Sequence, residues 1–271
     1  MVFVLKNKIV IITGGASGIG LAICKVMLRK GVQGVCLADI NVELGEEVTQ
    51  NLNIEFGEGK VIFVKTDVVD TESFENVFKV TLSNFGNIDV LINNAGILND
   101  KNWSLEVDIN LKGTLNGMIL GLDKYLRLYK QDGEAVILNT SSIFGTMCVP
   151  FVPVYASTKH AVMGLTRCWG HPVHYNRSKV RVVAVCPGLT ETRILSKVSQ
   201  DISLDLGLGE EYEVDDGFKK LKIQSAEFVG EEAVKVVEKA PNGTFWVIEN
   251  SEPTYQYFFS EKNDFKNFTL E

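Results

Sequence analysis

Tyr155 and Lys159 are the two side chains in this sequence best suited to move a proton. They are four positions apart in a segment with a helical pattern, so they share one helix face. A free tyrosine titrates near pH ~10, and a neighbouring ammonium group favours the phenolate. Ser142 follows a predicted strand, where its hydroxyl can hold a reacting oxygen or cap the backbone. The three residues predict general acid/base catalysis by Tyr155.

A glycine-rich segment, Thr13-Gly14-Gly15-Ala16-Ser17-Gly18-Ile19-Gly20, follows the first predicted strand and opens the first predicted helix. Glycines let a backbone turn sharply and approach a pyrophosphate, and a helix N-terminus offers free N–H groups to it. A purely structural turn is the alternative. The position between strand and helix favours phosphate binding.

Asp39 ends the second predicted strand, 19 residues after Gly20. A carboxylate at this place can accept hydrogen bonds from both ribose hydroxyls of NAD, and it repels the 2′-phosphate of NADP. An exposed turn aspartate is the alternative. Residues 13–20 contain no Lys or Arg that could hold a 2′-phosphate. The sequence therefore predicts NAD as the cofactor.

Apolar strands alternate with helical patterns along the chain, which is typical of a parallel sheet covered on both faces. We therefore expect a doubly wound, Rossmann-type α/β fold that forms a single domain over residues 1–271. The irregular segment 190–223 is expected to be a substrate lid. The predicted strands are 8–13, 35–38, 61–65, 90–92, 135–139, 180–186 and 244–248. The predicted helices are 19–30, 44–53, 73–85, 108–129, 155–170 and 231–239.

Composition excludes several classes of function. The 271 residues carry a formal net charge of −7, which disfavours nucleic acid and anionic lipid as partners. No apolar run reaches the roughly 18 residues of a membrane span. The N-terminus lacks a signal-peptide layout, so we expect a cytoplasmic protein.

Cysteines and histidines predict no metal site. The five cysteines form no Cys-x-x-Cys pair, and we expect them to be free, buried thiols. His171 and His174 have no third ligand at a recognisable spacing, and Pro172 between them disfavours a regular helix. They are expected on the surface. The acidic cluster at 210–216 is expected to be a solvated loop face.

Five motifs, in order, resemble those of the short-chain dehydrogenases/reductases, and the resemblance runs from about residue 8 to 248. They are Thr13 to Gly20, Asn93-Asn94-Ala95-Gly96, Ser142, Tyr155-Ala156-Ser157-Thr158-Lys159 and Pro187-Gly188-Leu189-Thr190-Glu191-Thr192. Within this family the sequence is most similar to the NAD-dependent 15-hydroxyprostaglandin dehydrogenases and the insect-type alcohol dehydrogenases. The resemblance implies the Rossmann fold and an oxidoreductase that acts on CH–OH groups.

The resemblance also implies a role for each motif residue. Asn110 would hold a water that links Lys159 to solvent, and Lys159 would also bind the nicotinamide ribose. Thr190 and Thr192 would orient the carboxamide, and Asp39 would take the adenosine ribose. The other residues implied to line the cofactor site are Gly14, Ser17, Gly18, Ile19, Gly20, Ile40, Asp67, Val68, Asn94, Ala95, Gly96, Pro187 and Gly188.

The sequence departs from the prostaglandin enzymes at the substrate. They carry a Gln three residues before the catalytic Tyr, where this sequence has Val152. Val183 and Ser251 replace an Asn and a Gly that are usual in the family. We expect hydride transfer between NAD and a secondary alcohol or ketone on an apolar substrate, with Val152 in contact with that substrate. The alternatives are an insect-type enzyme for small alcohols and a catalytically weak ligand-binding member, although Ser142, Tyr155, Lys159 and Asn110 are all present.

Two further sets of residues follow from these expectations. The substrate pocket should be walled by Ile97, Trp103, Phe144, Met147, Val149, Phe151, Val152 and Leu189. The resemblance suggests a homodimer or homotetramer. Apolar outer surfaces of the helices 108–129 and 155–170 would support this assembly, and the residues expected there are Leu115, Met118, Leu122, Met163 and Trp169.

Overall fold

One sheet organises the molecule. The computed structural model describes residues 2–194 and 222–259, and within them the strands follow the order β3-β2-β1-β4-β5-β6-β7-β8. Strands β1 to β7 are parallel, and β8 is antiparallel to β7. The strands are Ile9–Thr13, Gly34–Asp39, Val61–Lys65, Val90–Asn93, Ala135–Thr140, Val180–Pro187, Phe245–Ile248 and Tyr255–Tyr257.

Helices cover both faces of this sheet. One face packs against α1, α2 and α9, and the other against α3, α7 and the long helical stretch 103–129. The helices are α1 Gly18–Arg29, α2 Val42–Phe56, α3 Thr71–Phe85, α4 Trp103–Val107, α5 Thr114–Ile119, α6 Leu126–Tyr129, α7 Pro153–Trp169, α8 Pro172–Ser178 and α9 Ala226–Lys239. π-helical turns at Asp108–Gly113 and Leu120–Tyr125 connect α4, α5 and α6.

The strand order explains where a ligand can bind. The chain builds the sheet outward in one direction from β1 to β3, and then in the other direction from β4 to β7. Loops that follow β1 and β4 therefore turn to opposite faces, and a crevice opens between them at the carboxyl ends of the strands. The expected doubly wound fold is confirmed.

Several details differ from the sequence-based expectation. Pro172 begins α8, because a proline at the first helical position lacks only an N–H that would have no partner there. The short strand β8 was not predicted, since three residues carry too little pattern. The long helix begins at Trp103, five residues before the expected start.

The expected apolar outer surface is largely wrong. Met118, Leu122 and Met163 are buried in the core, because their side chains face the sheet. Leu115 and Trp169 are only half-buried. Cys24, Cys36 and Cys186 are buried free thiols as expected, whereas Cys148 and Cys168 are exposed.

The described residues show neither a membrane-spanning helix nor a metal cluster. None of the helices in ranges 2–194 and 222–259 is long and apolar enough to cross a membrane. In the same ranges, no three His, Cys, Asp or Glu side chains come together to hold a metal ion. The nitrogen Nδ1 of His171 instead accepts a hydrogen bond from the N–H of Val173 in α8.

Arg181 fastens β6 to the end of α9. Its side chain is 7% exposed and donates hydrogen bonds to the carbonyl oxygens of Ala240 and Val237, each at 2.8 Å. Its Nε also donates to Glu134 at 3.1 Å. These carbonyls lie at a helix C-terminus, where they lack helical partners and attract a cation.

We predict that Arg181→Met lowers the free energy of unfolding by about 3 kcal/mol, because it leaves buried carbonyls and a carboxylate without their donor. Urea denaturation measures this loss. Arg177→Met is the matched control, since Arg177 forms an exposed ion pair with Asp123. It should cost less than about 0.5 kcal/mol. Equal losses in the two variants would contradict the prediction.

Candidate active site

A single cavity joins the predicted cofactor residues to the predicted catalytic residues. It has a volume of about 400 Å³, a size typical of ligand sites. It extends along the carboxyl ends of the parallel strands, from Asp39 to Tyr155. All the predicted cofactor residues except Gly20 line it, as do Ser142 and Val152. Gly20 and Asn110 lie directly behind its wall, as described below.

The glycine-rich loop has the shape of a phosphate cradle. Gly14 and Gly18 have φ values of 61° and 52°, in the left-handed region that favours glycine. A Cβ on Gly20 would lie 2.3 Å from the carbonyl oxygen of Gly14, so α1 could not approach the loop with any other residue there. The N-terminus of α1 then points its free N–H groups at the cavity.

Two hydrogen-bonded links hold this loop to its neighbours. The Asp39 carboxylate accepts from the N–H of Ala16 at 3.1 Å, which connects the end of β2 to the loop. The Thr13 hydroxyl accepts from the N–H groups of Asn94 and Ala95, at 2.9 and 3.1 Å. The loops after β1, β2 and β4 are thus fixed against one another. These residues fit a dinucleotide laid across the strand ends.

Lys159 is buried beneath the catalytic end of the cavity. Its amino group is 5.4 Å from the centre of the Tyr155 ring and donates to the carbonyl oxygen of Thr140 at 3.1 Å. Burial lowers the pKa of Lys159 to about 8. Gly96 lies beside this amine: a Cβ there would be 3.4 Å from the Lys159 nitrogen, an ordinary contact distance, and 3.2 Å from Asn110 Oδ1.

Tyr155 and Ser142 meet at the cavity wall. Burial raises the pKa of Tyr155 to about 12, while a hydrogen bond with Ser142 lowers it in part. The Glu106 charge adds to the rise. The expected effect of the Lys159 ammonium, which favours the phenolate, stays a prediction. Ser142 Oγ also accepts from the N–H of Phe144 at 3.2 Å. It thus caps a turn and faces the tyrosine, and its expected role in holding a reacting oxygen stays a prediction.

Asn110 lies in the first π-helical turn, behind Gly96. Its amide donates to the carbonyl oxygen of Ile97 and accepts from the N–H of the same residue, both at 2.8 Å. It also donates to Thr158 at 3.2 Å. These bonds hold the loop after β4 against α7. The expected role in a water relay stays a prediction.

The apolar end of the cavity contains some of the predicted wall. Ile97, Phe144, Phe151, Val152 and Leu189 line it as expected. The other three do not line it: Trp103 and Met147 are exposed, and Val149 is packed in the core. The expected lid falls largely on residues 195–221, which lie outside the described residues, as does the acidic cluster 210–216.

Sequence reasoning missed several residues of the site. Thr140 ends β5 and supplies the carbonyl that holds Lys159, a main-chain role that no side-chain pattern reveals. Asp100 and Glu106 are fully buried acids beside α7, and nothing in their spacing separates them from surface acids. Arg193 also lines the cavity and adds a positive charge near its edge.

We predict that Gly20→Ala weakens NADH binding at least tenfold, since the new methyl group displaces the Gly14 carbonyl and with it the loop, at a cost of about 1–3 kcal/mol. Fluorescence titration with NADH measures this. Gly164→Ala in α7 is the matched control, because a Cβ there meets nothing within 4 Å. It should change affinity by less than about twofold. If Gly20→Ala binds NADH as tightly as the unaltered protein, the proposed phosphate-binding role of this loop is wrong.

Comparisons with known proteins agree with this geometry. The human 15-hydroxyprostaglandin dehydrogenase (NAD+) is 33% identical over 250 residues, which are 91% of this chain and 92% of that protein. Alcohol dehydrogenase 2 of Ceratitis capitata is 32% identical over 245 residues, covering 90% and 92%. The crystal structure of levodione reductase superposes with a TM-score of 0.75 at 25% identity and covers 90% of this chain and 96% of that one. A family model described as short chain dehydrogenase matches residues 8–203. The chain belongs to the short-chain dehydrogenase family.

Proposed function

We propose that this chain is an NAD-dependent oxidoreductase that transfers a hydride between NAD and a secondary alcohol or ketone on an apolar substrate. The observation that carries the proposal is the single cavity with the Gly14–Gly20 loop and Asp39 at one end and Ser142, Tyr155 and Lys159 at the other. The names of the two relatives, a dehydrogenase for NAD+ and an alcohol dehydrogenase, support the reaction class.

Each catalytic residue has a separate task in this proposal. NAD, when bound, accepts the hydride from the alcohol carbon. Tyr155 removes the hydroxyl proton, and Ser142 holds the oxygen in place. Lys159 places its positive charge beside the tyrosine ring and favours the phenolate. Asn110 fixes the loop that lies over Lys159. General base catalysis of this kind contributes about 10²–10⁴-fold.

The substrate class follows from the cavity wall beside Tyr155. Ile97, Leu98, Phe151, Val152 and Leu189 surround this end with apolar groups, which suits an oxidised fatty acid, a prostanoid, a terpenoid or a steroid-like molecule. Val152 cannot donate the hydrogen bond of the Gln that the prostaglandin enzymes carry. A missing partner for a buried polar group costs about 1–3 kcal/mol, so full-strength prostaglandin turnover is not expected.

A small-alcohol dehydrogenase is the second candidate, favoured by the similarity to alcohol dehydrogenase 2. A ligand-binding protein without turnover is the third. A screen of NADH production over graded alcohols separates them, from short secondary alcohols to prostanoids and hydroxysteroids. Best efficiency on a three- or four-carbon alcohol would support the second candidate. NAD binding without oxidation of any alcohol would support the third.

We predict that Tyr155→Phe lowers turnover of the best substrate in this screen by at least about 10²-fold, because the general base is removed. NADH affinity should stay near that of the unaltered protein, since the loop and Asp39 are untouched. Steady-state kinetics and an NADH titration on the same preparation measure both quantities. A Phe variant that kept most of its activity would refute the mechanism.

We predict a strong preference for NAD over NADP, because Asp39 lines the cavity at the end of β2, where it would accept from the adenosine ribose and repel a 2′-phosphate. Asp39→Ala should relax this preference without abolishing activity. The ratio of kcat/KM for the two cofactors, before and after the substitution, measures it. Equal or better efficiency of the unaltered protein with NADP would contradict the assignment.

Assembly and location complete the proposal. We keep the single-domain organisation, the cytoplasmic location and the homodimer or homotetramer as predictions. The apolar residues exposed on the helical stretch 103–129 are not the ones expected there; they are Trp103, Leu105, Ile119, Leu128 and Tyr129. Light scattering that gives a monomer at micromolar concentration would contradict the oligomer.

A further inference from the structure

The helix that carries Tyr155 starts without a capping side chain of its own. The residue at its N-cap is Val152, whose apolar side chain cannot accept a hydrogen bond. Pro153 at the first helical position has no N–H. The free donors of the first turn are therefore the N–H groups of Val154 and Tyr155, and buried donors of this kind need partners.

Asp100 supplies both partners from another part of the chain. Its carboxylate accepts from the N–H of Val154 at 2.8 Å and from the N–H of Tyr155 at 3.1 Å. Asp100 is fully buried, so these bonds are shielded from water. A carboxylate at a helix N-terminus is also favoured by the helix dipole. The backbone of Tyr155 is thus held by an acid 55 residues earlier in the sequence.

Glu106 lies behind Asp100 and is also fully buried. Its Oε1 accepts from the N–H of Asn99 at 2.8 Å, whereas no group among the described residues donates to its Oε2. A carboxylate oxygen buried without a donor is costly. If Glu106 is protonated, this oxygen gains a hydrogen that it can donate to the neighbouring Asp100 carboxylate.

The surroundings of Glu106 favour that protonated form. Two buried carboxyl groups in contact cannot both ionise at low cost, and Asp100 already accepts two N–H bonds as a carboxylate. Burial raises the pKa of Glu106 to about 8, and the Asp100 charge adds to this. The N–H of Asn99 and the Lys159 amine act in the opposite sense. The ionisable groups that face Glu106 are Asp100 in the loop and Tyr155 and Lys159 on α7.

We infer that Asp100 and Glu106 are positioning residues for the reaction: the Asp100 carboxylate fixes the first turn of α7 and so the place of Tyr155, and protonated Glu106 holds Asp100 there. This inference rests on the proposed hydride transfer for its kinetic consequence. The proton shared by the pair does not depend on any substrate.

Asp100→Asn tests the positioning role. The amide keeps one acceptor but turns an NH₂ group toward the other backbone N–H, so the first turn of α7 must shift. We expect kcat for the best alcohol to fall by at least about tenfold, because small displacements of a reacting group cost that much or more. The dissociation constant for NADH should change by less than about threefold, since Asp100 does not line the cavity and the phosphate loop is held by Asp39.

Asp70→Ala is the control for a lost helix cap. Asp70 caps α3 through Oδ1, which accepts from the N–H groups of Glu72 and Ser73. Loss of this cap should lower the melting temperature and leave kcat within about twofold, because α3 carries none of the proposed catalytic residues. If Asp100→Asn loses stability as Asp70→Ala does while kcat stays within that limit, Asp100 supports only the fold and the inference is wrong.

Glu106→Gln tests the shared proton without any turnover. Because the pKa of Glu106 is raised in the folded protein, the folded state binds up to one more proton than the unfolded chain between pH about 4.5 and 8. The stability that this proton contributes is lost as pH rises through this window. Gln cannot titrate. The unfolding free energy of the unaltered protein, relative to Glu106→Gln, should therefore fall from pH 5 to 8. If this difference in unfolding free energy stays constant from pH 5 to 8, the inference that Glu106 is protonated is wrong.

Failure of the proposed function gives a different result from failure of this inference. If the unaltered protein oxidises no alcohol in the screen, the proposed function fails. The positioning role is then tested by a pH titration of Tyr155. The titration follows the ultraviolet absorbance of its phenolate, as the difference from the protein that carries Tyr155→Phe. Asp100→Asn should shift that titration midpoint, and Asp70→Ala should not. Identical midpoints in the two variants would overturn the role of Asp100.

Discussion

The amino group of Lys159 is buried, and its hydrogen bond goes to the carbonyl oxygen of Thr140, 3.1 Å away. Burying an ammonium group is costly, and a single carbonyl offsets only part of that cost. The pKa of Lys159 is lowered accordingly, to about 8, while the same burial raises the pKa of Tyr155 to about 12. The rest of the site is arranged around this pair.

Several elements have to converge for that burial to occur. Strand β5 ends at Thr140, and α7 must pass close enough for Lys159 to reach it. The loop after β4 lies against the amine at Gly96, and Asn110 holds that loop in place. The strand order brings the glycine-rich loop to the same crevice, so cofactor binding and proton transfer share one cavity.

The sequence was sufficient for the fold and for most side chains of the site. Alternating apolar strands and helices define the doubly wound sheet, and the spacing of Tyr155 and Lys159 places both on one face of α7. The sequence was not sufficient to predict which side of a helix packs against the sheet. Met118 and Met163 were expected outside, because helical periodicity does not tell which apolar stripe meets the sheet when both sides of a helix are apolar.

Long-range contacts were the other limit. Asp100 is 55 residues before Tyr155, whose N–H it accepts from, so no local signal connects it with the helix that it caps. Thr140 acts through its carbonyl group, which every residue possesses. The effect of burial on the pKa of Tyr155 also depends on the packed structure rather than on the identity of neighbouring residues.

The central proposal is that Tyr155 exchanges the substrate proton, and that the positive charge of an oxidised cofactor bound in this cavity would favour its phenolate. The direct measurement is an ultraviolet titration of the Tyr155 phenolate, taken as the difference between the unaltered protein and Tyr155→Phe, with and without NAD+. The account predicts a midpoint well above pH ~10, the ordinary value, in the free protein and a clear fall when NAD+ is bound. A midpoint that is the same in both states would contradict it.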